Sequence, residues 1–199
     1  MSLSLTVAGL VLAGGSSQRM GSPKALLSWG AETFLTRIVR ILAARCATNV
    51  VVTGAHDAEI RAAHPDLAPQ LQFNANHTEG QFASIRCGLR ALSEKASEAA
   101  VLLWPVDFAA VAEETVDLLL RQDPTRLVKP VYAGQSGHPV LLSPASVAAL
   151  LKAPPTTHAK AVLETISALK LPVDDPACVM DADTPEDYER LRSRFGDRQ

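Results

Sequence analysis

The chain has 199 residues, of which 47% are hydrophobic and 20% charged, with a formal net charge of −2. That length and apolar content read as one domain over residues 1–199 with a sizeable core, and they exclude wholesale disorder. The near-balanced charge and a 5% aromatic content argue against non-specific nucleic-acid binding and a base-stacking platform.

Leu5–Leu12 is apolar and partly β-branched, and a glycine cluster follows it. It reads as a buried strand feeding a loop. Phe34–Ala44 has apolar residues at helical spacing, and Arg37 and Arg40 are expected on the opposite, solvated face. Asn49–Gly54 reads as a strand, Ala58–Ala63 as a brief helix stopped before Pro65, and Leu71–Phe73 as a short strand. Ser84–Leu92 is expected to be helical, and Ala100–Trp104 a buried strand ending at Pro105.

Glu113–Arg121 reads as a helix. Leu127–Val131 and Pro139–Leu142 read as strands around a polar turn, Ala133–Gly137. Helices are expected over Pro144–Lys152 and Ala159–Leu169, and a last strand over Cys178–Met180. Thr184-Pro185-Glu186-Asp187 opens a final helix, with a Thr N-cap, Pro at the first position and acids in the first turn. Gly196–Gln199 is expected to fray. The alternation of strands and helices implies an α/β fold with a mainly parallel sheet. Residues 127–142 break that alternation, as an antiparallel strand or a small lid.

Cys46, Cys87 and Cys178 are odd in number, far apart and without metal-ligand spacing. A disulfide framework or zinc site is not expected, and a reducing cytoplasm is. Leu3–Ala13 is interrupted by Ser4, Thr6 and Gly9 and is too short to span a membrane. No membrane partner is expected.

The most informative stretch is Leu12-Ala13-Gly14-Gly15-Ser16-Ser17-Gln18-Arg19-Met20-Gly21-Ser22-Pro23-Lys24. Its glycines permit a sharp turn and close approach to a ligand. Successive N–H groups in such a loop cradle phosphate oxygens. Arg19 and Lys24 add two cations with no acid between them, which suits a triphosphate. The loop lacks the Gly-Lys-Ser/Thr ending of a Walker loop and the Gly-x-Gly-x-x-Gly of a dinucleotide site. An oxidoreductase using a dinucleotide is therefore poorly supported.

Leu-Ala-Gly-Gly followed by Arg-Met-Gly and Lys resembles the signature loop of nucleotidyltransferases. Within them the chain looks most like the molybdenum cofactor cytidylyltransferases of the MobA-like group. Guanylyltransferase relatives usually carry Asp directly before the lysine; here Pro23 stands there, followed by Lys24-Ala25-Leu26-Leu27. The resemblance covers nearly the whole chain through four separated motifs. It implies a Rossmann-like three-layer αβα sandwich around a mostly parallel twisted sheet. It also implies transfer of CMP from CTP to a phosphorylated acceptor, the molybdopterin form of molybdenum cofactor. Leu12, Ala13, Gly14, Gly15, Arg19 and Lys24 would then bind the nucleotide.

The second motif runs Asn74-Ala75-Asn76-His77-Thr78-Glu79-Gly80-Gln81-Phe82-Ala83-Ser84. The resemblance assigns Asn76, Gly80 and Ser84 to the base and ribose. The residues alone also fit a turn at Asn76 and a helix cap at Ser84. The third motif, Trp104-Pro105-Val106-Asp107, puts an acid at the carboxyl end of a buried strand, where open α/β sheets bind ligands. The resemblance makes Asp107 a Mg²⁺ ligand, although Ala109 replaces the proline common two residues after this acid. The fourth, Asp181-Ala182-Asp183-Thr184-Pro185, supplies Asp183 as a second ligand. Asp181 lies on the same side of an extended chain, where it either assists or bonds nearby loops. Asp183 also fits simple support of the helix N-terminus.

Gly137-His138-Pro139 resembles a segment that faces the acceptor, so His138 is the acceptor-side candidate. His56, His64, His77 and His158 receive no role. The implied catalytic residues are Arg19, Lys24 and Asp107. A molybdenum hydroxylase or its maturation chaperone would receive the product. The same loop also serves sugar-phosphate and isoprenoid-precursor nucleotidyltransferases. A non-catalytic cofactor-maturation protein ranks lower, because both Asp107 and Asp183 are present.

Overall fold

The computed structural model describes residues 6–96 and 98–196. Leu5 of the expected first strand and residues 197–199 of the expected frayed end lie outside the described residues.

In chain order the elements are β1 (Val7–Ala13), β2 (Ser28–Trp29), β3 (Glu32–Thr33), α1 (Phe34–Ala43), β4 (Asn49–Thr53), α2 (Asp57–Ala63), β5 (Leu71–Phe73), α3 (Gln81–Lys95) and β6 (Ala100–Pro105). They continue with α4 (Glu113–Leu120), β7 (Leu127–Tyr132), β8 (Gln135–Ser136), β9 (Val140–Leu142), α5 (Pro144–Lys152), α6 (Ala159–Glu164), β10 (Ala168–Pro172) and α7 (Pro185–Phe195). Among the described residues eight strands form one sheet, ordered β10-β7-β9-β6-β1-β4-β5, with β8 folded back on β7. The β1–β4, β1–β6, β4–β5 and β7–β10 pairs are parallel. β9 runs antiparallel between β6 and β7.

The period-two alternation of β1 divides the core. Val11 packs on one face with α1, α4 and α7. Leu10 and Leu12 pack on the other with α3, α5 and α6. The fold is thus a three-layer α/β sandwich. α3 lies so close to the sheet that a Cβ on Gly88 would sit 2.3 Å from Leu10 Cδ1. α7 opens with the expected N-cap: the Thr184 hydroxyl accepts from the Asp187 N–H, and Asp187 returns the bond in a capping box.

Four expectations are corrected. Arg37 is not solvated; it is 2% exposed and donates to the carbonyls of Ala109 (2.9 Å) and Val111 (3.2 Å). Those carbonyls sit in a buried irregular loop and need a donor, which outweighs the cost of enclosing a guanidinium. The helix expected to reach Leu169 stops at Glu164, and residues 168–172 join the sheet beside β7. Strand pairing there overrides the helical spacing. The strand expected at Cys178–Met180 is instead a short 3₁₀ turn, Pro176–Val179, whose Ala177 N–H bonds to the Asp175 carboxylate. α3 begins three residues before Ser84, with Gly80 at the N-cap position, so Ser84 lies within the helix and does not cap it. The β2–β3 hairpin had no sequence signal beyond Gly30.

Candidate active site

Consecutive connections leave β1 in opposite senses: the chain next forms β4 on one side and later β6 on the other. The connections beyond the paired carboxyl ends of β1 and β6 therefore diverge, which opens a crevice above those ends. A cleft of about 570 Å³ lies there, lined from Leu12 through Arg19 on one wall and by Pro105, Val106 and Asp107 on another.

The glycine loop is held by its own backbone. Ser17 has φ +49°, and its carbonyl accepts from the N–H groups of Met20 (3.0 Å) and Gly21 (3.1 Å). The Ser17 hydroxyl accepts from the Lys24 N–H at 3.2 Å. One residue therefore fixes both the Arg19 turn and the start of the Lys24 turn. Gly15 has open space where a Cβ would stand, so its backbone is accessible from the cleft it lines. Gly14 is tighter: a Cβ would lie 3.0 Å from Ser84 Oγ.

Across the cleft, Asp107 follows β6 and Asp183 precedes α7. The Ala182 N–H donates to the Asp107 carbonyl at 3.1 Å, which joins the two segments. Carboxylate oxygens of Asp107, Asp181 and Asp183 come within 4.8 Å of one another. Asp183 accepts from Arg19 at 2.6 Å and from Lys24 Nζ, which is also 3.7 Å from Asp107. Burial raises the Asp107 carboxyl above its ordinary pKa; Lys24 opposes this, while Asp181 and Asp183 add to it. Burial and the Asp183 charge raise Asp181 as well. The Lys24 hydrogen bond pulls Asp183 down. Asp107 Oδ1 is buried with no partner outside its own residue among those described.

The second motif divides between two places. Gly80 and Ser84 line the cleft. Asn76 faces an adjoining depression beside α3. Asn74, quoted in the motif but given no role, is the buried link: its amide donates to Ser84 Oγ at 3.1 Å and its carbonyl oxygen accepts from the Asn76 N–H at 3.0 Å. Its place directly after β5 was the available signal. His56 and His77 also line the cleft and were missed. His56 stands two residues after Gly54, which directly follows β4, the position from which a central strand delivers residues to this crevice.

His138 lies outside the cleft lining. Its ring centroid is 4.7 Å from that of Phe108, the residue after Asp107, and its buried Nδ1 lacks a partner among the described residues. Burial lowers its pKa to about 4, so it is neutral at physiological pH.

A sheet of this order, with a glycine loop and carboxylates at the carboxyl ends of β1 and β6, has the architecture of a nucleotide-binding α/β fold. The chain belongs to the family of the MobA-like NTP transferase domain, whose model matches residues 9–185. It is 23% identical over 192 residues to the molybdenum cofactor cytidylyltransferase of Escherichia coli K12, covering 94% of this chain and 95% of that one. A probable molybdenum cofactor guanylyltransferase of Bacillus cytotoxicus is 41% identical over 88 residues, 44% of each chain. The solved Rv0371c protein of Mycobacterium tuberculosis H37Rv superposes with a TM-score of 0.78 at 25% identity, over 94% of this chain and 98% of that one. No helix among the described residues is long and apolar enough to cross a membrane.

Proposed function

We propose that the chain transfers CMP from CTP to the terminal phosphate of a molybdopterin-type acceptor and releases pyrophosphate. The observation that carries this reading is the position of Lys24. Its N–H is bonded into the glycine loop and its ammonium reaches Asp183 and Asp107 on the opposite wall. A group lying between those walls meets phosphate donors on one side and carboxylates on the other.

An oxygen of the acceptor phosphate attacks the α-phosphorus, and the bond from that phosphorus to the bridging oxygen breaks. A phosphate monoester has a second pKa of about 6. It is already ionised at neutral pH, so the chain need not supply a general base. Catalysis rests on alignment and charge. The N–H groups around Gly14 and Gly15 receive the β- and γ-phosphates, and Arg19 steadies them. Lys24 turns from Asp183 towards the α-phosphate. Asn74 holds Ser84 against the cleft, so that Gly80 and Ser84 face the base and ribose. His138 and Phe108 border Asp107 on the acceptor side.

The acid cluster fits a hard divalent cation: three carboxylates converge, and Asp107 Oδ1 is buried with no partner outside its own residue among those described. Mg²⁺ held there would neutralise charge on the transferring phosphate. A manganese complex of the Rv0371c protein supports a divalent metal. The full-length likeness to a cytidylyltransferase and the Pro23-Lys24 sequence favour CTP. The higher identity to a guanylyltransferase over 88 residues favours GTP as the second reading. A cytoplasmic location, which the chain's three free cysteines fit, and delivery to a molybdenum hydroxylase or its chaperone complete the proposal.

Calorimetric titration of each of the four NTPs with Mg²⁺ tests the site. CTP should bind tightest. Tighter GTP would favour guanylyl transfer, and no binding by any NTP would refute the nucleotide site.

A further inference from the structure

His56 joins the phosphate loop to α2 through two hydrogen bonds. Its Nε2 is 3.0 Å from the Ser16 carbonyl oxygen, and its Nδ1 is 2.8 Å from Glu59 Oε1. A carbonyl oxygen can only accept, and an ionised carboxylate can only accept. Both ring nitrogens must therefore donate, which requires the imidazolium. Burial opposes the charge, but the bonds to Glu59 and Ser16 outweigh it and raise the His56 pKa.

Ser16 directly precedes Ser17, whose carbonyl and hydroxyl organise Met20, Gly21 and Lys24. The peptide between Ser16 and Ser17 is planar, so holding its carbonyl towards His56 fixes the opposite direction of the Ser17 N–H. We propose that His56 is a positioning residue, a protonated tether that fixes the glycine loop in its triphosphate-receiving form. This rests on the nucleotide reading above and deepens it.

The other ionisable side chains lining the same cleft, among the described residues, are Arg19, Lys24, His77, Asp107 and Asp183. Asp57, next to His56, is engaged by Arg61 and Thr53. Glu59 is the charge that bears on His56. The tether is complete below about pH 6.5, the ordinary imidazole value. It is lost as pH rises through the raised value of the folded protein.

The test compares CTP binding by the wild-type chain, His56→Ala and Glu59→Gln from pH 5.5 to 9, with NMR titration of the His56 ring in the wild type. Titration of CTP itself cancels in the ratio of affinities. Wild type should bind about ten-fold tighter than His56→Ala at pH 6, and the ratio should fall towards one by pH 9. Glu59→Gln should lower the His56 pKa and shift that fall to lower pH. A ratio independent of pH overturns the tether, as does a wild-type His56 pKa at or below 6.5. If His56→Ala does not fold, the NMR titration and Glu59→Gln decide alone. If wild type binds no NTP at any pH, the nucleotide reading fails and takes the tether's role with it, whatever the His56 pKa.

Discussion

The Ala182 N–H and the Asp107 carbonyl, 3.1 Å apart, join residues 75 positions apart in sequence. This backbone bond ties the segment that carries Asp181 and Asp183 to Asp107. The two acid-bearing segments are therefore held together by backbone as well as by the Arg19 and Lys24 contacts, and neutralising Asp107 should leave the segments in place.

Asp107→Asn should reduce pyrophosphate release by about 10²–10³-fold. Its melting temperature should match or exceed that of the wild type, because a buried carboxylate with an orphaned oxygen is removed. Steady-state kinetics and thermal melting check both parts. Full activity would remove Asp107 from the reaction.

Arg37 should matter for stability through the same region. Arg37→Met leaves the carbonyls of Ala109 and Val111 without these donors inside the core. Each unsatisfied group costs about 1–3 kcal/mol. Urea unfolding should show a loss of about 2–4 kcal/mol, partly restored in Arg37→Lys. A loss below about 0.5 kcal/mol, the range of ordinary surface changes, would show that water reaches these carbonyls.

A second stability effect depends on pH. Arg45 pairs with Glu113 (2.8 Å) and Asp117 (2.7 Å), and Arg40 pairs with Glu113 (3.0 Å). Hydrogen bonds from Arg40 and Arg45 outweigh burial and lower the Glu113 carboxyl; the Arg45 hydrogen bond lowers Asp117. Carboxyls depressed on folding stabilise the fold above their unfolded pKa values, about 4, and lose that effect as pH falls through the folded values. These groups are partly exposed, so the effect is about 1 kcal/mol or less. Arg45→Ala should melt lower than wild type at pH 7, and the gap should shrink towards pH 3. A gap that stays constant would assign the loss to packing of the arginine stem.

Gly54 tests the seating of the glycine loop. A Cβ there would lie 2.4 Å from the Gly14 carbonyl oxygen and 2.7 Å from His77 Cβ. The contact is with backbone, so the loop has to move. Gly54→Ala should abolish stabilisation by CTP while leaving the far-ultraviolet circular dichroism of the fold. Unchanged CTP stabilisation would show that the loop tolerates the shift.

The sequence made the glycine loop legible because its glycines, turn and two cations are contiguous. The three acids were legible because two stand shortly before the Thr184-Pro185 helix start and one lies just past a buried apolar strand. Arg37 was misplaced because periodicity assigns a helix face and cannot see a loop 72 residues away that covers it. Residues 168–172 were misplaced because their partner β7 is distant in sequence. His56 reaches the Ser16 carbonyl and Asn74 reaches the Ser84 hydroxyl across 40 and 10 residues, contacts that no local spacing pattern shows.

The most direct test is pyrophosphate release with Mg²⁺, each of the four NTPs, and a molybdopterin acceptor present or absent. The proposed function requires release with CTP that depends on the acceptor. Binding of CTP without any acceptor-dependent release would contradict molybdopterin as the acceptor.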